Sequence, residues 1–308
     1  MRIVIYGTGG VGGYFGGLLA RADEDVTFIA RGEHLRAIRA HGLRVESVHG
    51  DFTIAPASAT DNPAEIGPVD LIIAATKTYH IDEVARGMTP LLGPNTAILP
   101  LQNGVDASER IAAIVGPAPV LGGVCYVGSH IAAPGLIRQG SQFRRVVVGE
   151  LAGQVTPRVT AVVDALARSG AVAEASAEIN QVRWTKFTFI APFSGVGAVT
   201  RVPAGEIMAC PETRQMMADA MQEVEAVARA RGIRLAADIV PQTMAFCDKL
   251  APGQMASMQR DLLDGRPSEL ESMIGVIVRH GAELGVPTPV FQFVYAALAP
   301  QEHRARAA

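Results

Sequence analysis

The chain has few cysteines and no strong excess of charge. Its cysteines, Cys125, Cys210 and Cys247, are odd in number and show neither CxxC nor metal-ligand spacing. This pattern predicts a reduced, cytoplasmic protein without a disulfide framework. The net charge of −3 argues against a nucleic-acid partner or an acidic membrane surface. Because every apolar run falls short of about 18 uncharged residues, we expect no membrane span.

Several kinds of catalytic site are also missing from the sequence. The histidines lack ligand-like spacing, and no carboxylate cluster suggests a metal ion. The chain contains no G-x-S-x-G nucleophile elbow and no Cys/His pair. We therefore expect no bound metal and no covalent catalysis by a serine or cysteine.

A glycine-rich turn near the start of the chain is the strongest motif. Gly7, Gly9 and Gly12 have G-x-G-x-x-G spacing between an apolar strand, Arg2–Tyr6, and a helix. In a dinucleotide-binding βαβ unit these glycines allow the tight turn, the approach of a pyrophosphate and close packing of the helix. A glycine turn of another α/β protein is the alternative interpretation. The predicted cofactor-binding residues of this turn are Gly7, Thr8, Gly9, Gly10, Val11 and Gly12.

The residue after the second predicted strand, Asp25–Ala30, indicates which dinucleotide binds. An acidic residue near this point, about 20 residues past the glycines, binds the ribose 2′-hydroxyl of NAD, whereas an arginine suits the 2′-phosphate of NADP. Arg31 occupies the position, and Glu33 is expected in the first turn of the next helix. Arg31 could also be an ordinary solvated cation. We predict NADPH as the cofactor.

The order of predicted elements gives the fold class and two domains. Strands and helices alternate up to about residue 150, which predicts an α/β fold with a doubly wound parallel sheet of the Rossmann type. We expect Val120–Val127 and Phe143–Gly149 to continue this sheet, with a turn around residues 134–135. From about residue 177 the pattern is helical throughout. The predicted domains are an NADP-binding domain, 1–176, and an all-helical substrate and dimerisation domain, 177–308.

Two charged residues of the predicted helical domain are candidates for catalysis. Lys186 lies in an otherwise apolar helix predicted over Ile179–Phe193 and ending before Gly195. Burial of its ammonium group would need a partner, although a lysine at an amphipathic surface is the commoner arrangement. Glu269 follows Ser268 at a predicted helix start, where capping alone would explain both residues. Ser257, on the preceding helix, carries no signal by itself.

The chain resembles the ketopantoate reductase (2-dehydropantoate 2-reductase) family over nearly its whole length. The resemblance rests on the order and spacing of short motifs. These motifs are the glycine turn, Arg31-Gly32, Thr76-Lys77, Gln102-Asn103-Gly104, Trp184-x-Lys186, Ser257-Met258-Gln259-x-Asp261, Glu269 and Gly281-x-x-x-Gly285-Val286-Pro287-Thr288-Pro289. Such enzymes use NADPH to reduce a 2-keto acid to a 2-hydroxy acid.

The resemblance implies roles for individual residues. Lys186 would be the general acid that protonates the carbonyl oxygen, and Glu269 would orient this lysine and contact the substrate. Ser257 would bind the substrate carboxylate. Asn103 and Lys77 would line the cofactor and substrate site near the nicotinamide. A lysine acid agrees with the chemistry, because hydride delivery leaves an alkoxide that needs a proton.

Three positions depart from the family pattern. The family commonly has asparagines four and eight residues after the catalytic lysine, where this chain has Ile190 and Ser194. Ser194 keeps a hydroxyl for the substrate, whereas Ile190 is apolar. Ile274 stands where another asparagine can occur. A site that loses hydrogen-bonding partners loses affinity for a hydroxylated substrate, so a more apolar 2-keto acid is an alternative to ketopantoate.

Three functions therefore remain open from the sequence. The first is an NADPH-dependent 2-keto-acid reductase, with ketopantoate and pantothenate biosynthesis as the leading assignment. The second is a dehydrogenase of similar architecture that oxidises a 3-hydroxy acid. The third is a non-enzymatic NADPH sensor, which Ile190 and Ser194 favour but which would need none of Lys186, Glu269 and Asn103. A homodimer through the second domain is compatible with each of them.

Overall fold

The chain forms two compact units. The computed structural model describes residues 1–307. The first unit comprises Met1–Gln102 and Ala107–Asn180, and the second comprises Asn103–Asp106 and the chain from Gln181 onward. A domain boundary between residues 176 and 177 stays a prediction of the sequence.

The first unit contains ten strands and five helices. Its strands are β1 (Arg2–Tyr6), β2 (Asp25–Ile29), β3 (Leu43–Ser47), β4 (Phe52–Ile54), β5 (Ser58–Thr60), β6 (Leu71–Ala74), β7 (Ala97–Pro100), β8 (Leu121–Ala133), β9 (Leu136–Glu150) and β10 (Val172–Ala175). Its helices are α1 (Gly10–Arg21), α2 (Gly32–His41), α3 (Ile81–Gly87), α4 (Ala107–Val115) and α5 (Pro157–Arg168).

Five of these strands form a parallel sheet in the order β5-β2-β1-β6-β7. The two strands at its centre are nearly unbroken apolar runs, Ile3–Tyr6 and Leu71–Ala74, and all of these residues are buried. Burial on both faces is what such a run predicts for a parallel strand. The carboxyl ends of β1, β6 and β7 therefore lie side by side, where ligands of open α/β sheets bind.

The remaining strands form a second, mixed sheet, and here the sequence prediction was wrong. The strand predicted at Val120–Val127 meets the parallel sheet only at Val120, which forms a parallel bridge to Ile98 of β7, and the strand predicted at Phe143–Gly149 does not join that sheet. They belong to β8 and β9, a long antiparallel hairpin that turns at residues 134–135. β9 also pairs with β3 and β10, and β3 pairs with β4. The residues on both sides of the turn are largely exposed and show no regular apolar pattern, so the sequence did not predict how long the two strands are.

Helix α1 lies between the two sheets. On one side a Cβ at Gly16 would stand 2.5 Å from Ile5 of the parallel sheet. On the other side a Cβ at Gly13 would stand 2.6 Å from Ile137 of the mixed sheet. Glycine is thus required on both faces of the helix, because each sheet approaches closer than any side chain allows.

The second unit is helical. Its helices are α6 (Ile179–Thr200), α7 (Ala204–Ala209), α8 (Pro211–Ala230), α9 (Ile239–Cys247), α10 (Ser257–Leu263), α11 (Val276–Leu284) and α12 (Pro289–Ala307), and a π-helical turn, Glu271–Gly275, precedes α11. The predicted end of α6 before Gly195 was wrong. The helix continues because Gly195 packs against Ile274 and Val294, so burial outweighs the low helix propensity of glycine. The predicted parallel sheet with helices, followed by a helical domain, is confirmed. Among the helices of residues 1–307, none has the length and apolar character that a membrane crossing requires.

The partly buried ion pair between Glu150 and Arg158 gives a pH-dependent prediction for the first unit. Arg158 donates to both Glu150 oxygens, at 2.7 and 2.6 Å, and holds the pKa of this carboxyl below its ordinary value of 4.5. Because the pKa is depressed in the folded state, the stabilisation is present above pH 4.5 and is lost as the pH falls through the folded-state pKa. Glu150→Gln should lower the free energy of unfolding at neutral pH by about 1–3 kcal/mol.

The measurement is urea unfolding of wild type and variant over a pH series. The difference between them should shrink as the pH falls below 4.5. Glu174→Gln is the control, since the Glu174–Arg145 pair on the same sheet has the same two-bond geometry but is about half exposed. Its effect should be smaller. A Glu150→Gln effect that stays constant with pH would contradict the assignment to the ion pair.

Candidate active site

The glycine turn predicted from the sequence connects β1 to α1 in the first unit. Gly7 has a φ of +101°, and a Cβ there would stand 2.6 Å from the Thr76 side chain, so only glycine fits. The next residue, Thr8, is buried, and its hydroxyl donates to the Ile29 carbonyl over 3.0 Å. This bond attaches the turn to β2, the strand that leads to Arg31.

The other glycines of the turn differ in what each one faces. A Cβ at Gly12 would stand 2.2 Å from the Gly7 carbonyl oxygen, and one at Gly10 would stand 2.4 Å from the Ser129 carbonyl oxygen. At Gly9, by contrast, no atom of the protein lies within 4 Å of the Cβ position. Packing therefore requires glycine at positions 10 and 12. At position 9 the open space admits a ligand close to the backbone.

The first turn of α1 has the features of an anion-binding site. The first helical hydrogen bond runs from Gly13 N to Gly9 O, over 2.7 Å. The N–H groups of Gly10, Val11 and Gly12 precede this bond, as do the first N–H groups of any helix. Together with the positive end of the helix dipole they suit a pyrophosphate.

Several buried polar atoms, near the turn or just past the ends of β6 and β7, have no hydrogen-bond partner within residues 1–307. They are the hydroxyl oxygens of Thr76 and Ser129 and both amide atoms of Gln102. Thr76 contacts Gly7, Ser129 contacts Gly10, and Gln102 follows Leu101, whose N–H donates to the Ala74 carbonyl. Because an unsatisfied buried polar group costs about 1–3 kcal/mol, these atoms fit a polar ligand such as a dinucleotide. The sequence analysis gave them no role, although Thr76 and Gln102 follow strand ends directly.

Arg31 and Lys77 lie at the same edge of the parallel sheet. The exposed Arg31 donates to the Glu83 carboxylate over 2.6 Å, and this bond raises the pKa of the arginine and lowers that of the glutamate. His80 contacts the other Glu83 oxygen at 3.3 Å. The half-buried Lys77 begins the 3₁₀ turn Thr78–His80.

In the second unit, Lys186 and Asn103 come together. The Lys186 ammonium donates to the Asn103 amide oxygen over 2.7 Å, and both side chains are half-buried. One turn earlier on α6, Arg183 donates to the Val105 carbonyl over 2.6 Å. Helix α6 thus fixes the segment Asn103–Asp106 at two points. Asn103 is a neutral acceptor, so it orients the ammonium group without cancelling its charge.

Glu269 lies immediately before the helical segment that contains the π turn. It is 5% exposed, and its carbonyl accepts a bond from Met273 N over 2.9 Å. Ser272 of the π turn lies beside Gly104, since a Cβ at Gly104 would stand 3.2 Å from the Ser272 carbonyl oxygen. The π turn therefore adjoins the segment that carries Asn103. Pairing of Lys186 with Glu269 stays a prediction.

The remaining predicted substrate residues lie on α6 and α10. Ser194 is 1% exposed within α6, and Ser257 is half-buried at the first residue of α10. Ile274 is fully buried against Gly195, so packing explains its side chain. Gln259, to which the sequence analysis gave no role, is fully buried. Its amide nitrogen donates to the Val202 carbonyl over 2.9 Å.

The chain is similar to known proteins over nearly its whole length. The model of the family described as "Ketopantoate reductase PanE/ApbA" matches residues 3–153, and its C-terminal counterpart matches residues 178–302. The chain is 30% identical to a 2-dehydropantoate 2-reductase of Mesorhizobium japonicum, over 96% of each chain. A solved 2-dehydropantoate 2-reductase of Geobacter metallireducens superposes with a TM-score of 0.92 at 31% identity, covering 97% of this chain and 99% of that one. A D-mandelate dehydrogenase, at 24% identity and a TM-score of 0.89, covers 99% of each chain and shares the fold.

The fold and the matches define an oxidoreductase that acts on CH–OH groups, with a Rossmann-type domain and a helical domain. The chain belongs to the ketopantoate reductase family. The cofactor of this family is NADPH, and the dinucleotide turn of the first unit fits it.

The contrast between Gly9 and Gly12 gives a test of the dinucleotide turn. Gly9→Ala should leave the thermal midpoint unchanged, because its Cβ meets no protein atom, but should weaken NADPH binding where the backbone approaches the pyrophosphate. Gly12→Ala should lower the thermal midpoint, because its Cβ collides with the Gly7 carbonyl. The measurements are thermal unfolding and NADPH titration by nucleotide fluorescence. Unchanged NADPH affinity in Gly9→Ala would place the cofactor elsewhere.

Proposed function

We propose that the protein reduces a 2-keto acid to a 2-hydroxy acid with NADPH, and that ketopantoate (2-dehydropantoate) is its first candidate substrate. The hydrogen bond between Lys186 and Asn103 is the observation that carries the proposal. It holds a proton-donating cation in a fixed position on helix α6. The names of the relatives support the choice of substrate.

The proposed mechanism assigns the proton transfer to Lys186. When bound, NADPH supplies the hydride that reduces the keto carbon. The Lys186 ammonium gives a proton to the keto oxygen, so this oxygen becomes the neutral hydroxyl group of the 2-hydroxy acid. Asn103 Oδ1 holds the ammonium group in position. Glu269 is proposed to orient the lysine and to accept bonds from substrate hydroxyls, and the Ser257 hydroxyl is proposed to donate to the substrate carboxylate.

The remaining assignments of the sequence analysis belong to the same proposal. Residues 1–176 would bind the cofactor, with Arg31 at the 2′-phosphate, Lys77 near the nicotinamide and the glycine turn at the pyrophosphate. Residues 177–308 would bind the substrate, with Ser194 contributing its hydroxyl, and would form a homodimer. The three free cysteines favour the cytoplasm.

A more apolar 2-keto acid is the second candidate substrate, and Ile190 favours it. This side chain is half-buried one turn after Lys186, where the family commonly has an asparagine. Isoleucine cannot donate to a substrate hydroxyl, whereas it contacts a hydrocarbon chain favourably. Ile274 does not bear on the choice, because it is buried in the packing of α6.

A substrate panel tests both candidates. The loss of reduced-nicotinamide absorbance is followed with ketopantoate and with branched, unbranched and aromatic 2-keto acids, and each assay is run with NADPH and NADH. We expect the highest kcat/KM with NADPH and ketopantoate. Higher kcat/KM for an acid without hydroxyl groups would select the second candidate. NADPH binding without turnover of any 2-keto acid would contradict the proposed function.

Lys186→Ala tests the mechanism. It should lower kcat by a factor of about 10²–10⁴, because the general acid is removed, while the Kd of NADPH stays unchanged. Lys249→Ala is the matched control, since Lys249 is exposed beyond the end of α9. Unchanged turnover in Lys186→Ala would exclude Lys186 as the acid.

A further inference from the structure

A buried carboxylate near the end of α12, Glu302, has no part in the proposed mechanism. It is 2% exposed, and its partners are Ser268, on the loop that leads into Glu269, and Arg306, one turn later on α12. Glu302 Oε2 accepts from Ser268 N over 2.9 Å and from Ser268 Oγ over 2.5 Å. Its other oxygen accepts from Arg306 Nε over 2.6 Å. The charge of Glu302 is therefore paired and hydrogen-bonded, as burial requires.

Arg306 completes the contact with the same serine. Its Nη2 donates to the Ser268 carbonyl over 3.2 Å. The Glu302–Arg306 pair thus holds the N–H, the hydroxyl and the carbonyl of one residue. Ser268 belongs to no helix or strand, so these bonds fix a loop position.

The next residue along the chain is Glu269, whose backbone is fixed on its other side as well. Ser268 Oγ accepts from Leu270 N over 3.3 Å, and the Glu269 carbonyl accepts from Met273 N over 2.9 Å. A side chain leaves its backbone in a direction set by φ and ψ. Holding Ser268 and Leu270 in place therefore sets the direction of the Glu269 Cα–Cβ bond and limits the rotamers from which its carboxylate can extend.

We propose that Glu302, paired with Arg306, is a positioning residue for the reduction and acts by fixing Ser268 and hence Glu269. This inference rests on the proposed function, in which Glu269 contacts lysine and substrate. Capping of the following helix does not require Glu302, because the Ser268 hydroxyl itself accepts from Leu270 N. The contribution of the Glu302–Arg306 pair is instead to hold Ser268 in one position.

The first test is the kinetics of Glu302→Gln. Glutamine keeps the size of the side chain but replaces one acceptor oxygen with an NH₂ group, which cannot accept from Ser268 or Arg306. We expect kcat to fall by a factor of about 10–100, since displacement of a reacting group by about 1 Å can cost a factor of 100. The KM for the keto acid should rise. The Kd of NADPH should stay unchanged, because the dinucleotide turn is in the other unit.

Glu223→Gln is the matched control. Glu223 is also a buried carboxylate of the second unit, and it accepts from Val290 N and Phe291 N, over 2.7 and 3.0 Å, at the beginning of α12. Its substitution disturbs the same helix at the end away from Ser268, so kcat should stay at the wild-type value. Equal losses of kcat in Glu223→Gln and Glu302→Gln would overturn the proposal in favour of general loosening of α12.

A double mutant distinguishes positioning of Glu269 from any other effect. If Glu302 acts through Glu269, the Glu269→Gln/Glu302→Gln enzyme should be no slower than Glu269→Gln alone. Losses that multiply would overturn the inference. Should Glu302→Gln fail to fold, Ser268→Ala replaces it. This variant keeps the backbone donor to Glu302, so we expect a smaller loss that again vanishes in combination with Glu269→Gln.

The same set of variants separates the inference from the proposed function. Wild-type turnover in Glu269→Gln would remove the role of Glu269 in the mechanism, and the positioning role would fall with it. Impaired Glu269→Gln beside wild-type turnover in Glu302→Gln and Ser268→Ala would overturn the inference alone.

Discussion

The close approach of helix α1 to two β-sheets is the constraint on which the first unit depends. Gly16 faces Ile5 of the parallel sheet, Gly13 faces Ile137 of the mixed sheet, and both contacts are too short for a side chain. The same packing fixes where α1 begins, at the carboxyl end of β1. The N–H groups of its first turn are thereby held where the open space at Gly9 admits a ligand. Packing and cofactor binding thus share one glycine-rich helix.

In the second unit, helix α6 carries the two cations that meet the segment Asn103–Asp106. Arg183 and Lys186 each hold one residue of that segment. The chain has only three lysines, and Lys186 is half-buried on this helix, whereas Lys249 is exposed. A lysine whose ammonium group is held by an acceptor differs from a solvated one, because its position is fixed and its other N–H groups have defined directions. The general acid of the proposed reaction needs such a fixed position.

The sequence predicts those features of the molecule that depend on neighbouring residues, but not those that depend on contacts between distant ones. The glycine turn, the buried strands and the helical second half have local patterns, and these predictions were confirmed. Two strands and the turn at residues 134–135 were predicted for the β8–β9 hairpin, but their place in a separate sheet was not, because it depends on pairing of β9 with the distant strands β3 and β10. The extension of α6 past Gly195 depends on Ile274 and Val294, which lie far away in sequence. The Glu302–Ser268 contact joins residues 34 positions apart by one carboxylate, and no local pattern predicts such a contact.

The ion pair between Arg31 and Glu83 has a kinetic consequence for an enzyme that must release its nucleotide in every turnover. In the proposed cofactor site, a 2′-phosphate at Arg31 would share the guanidinium with a carboxylate already 2.6 Å from Nη2. The carboxylate stays tethered nearby and competes for the arginine as soon as the phosphate withdraws. In that proposal the internal counterion would weaken nucleotide binding slightly, because the pair is exposed and contributes at most about 1 kcal/mol. The contact between Arg31 and the phosphate would then slow the exchange of oxidised for reduced nucleotide less than an arginine without this counterion would.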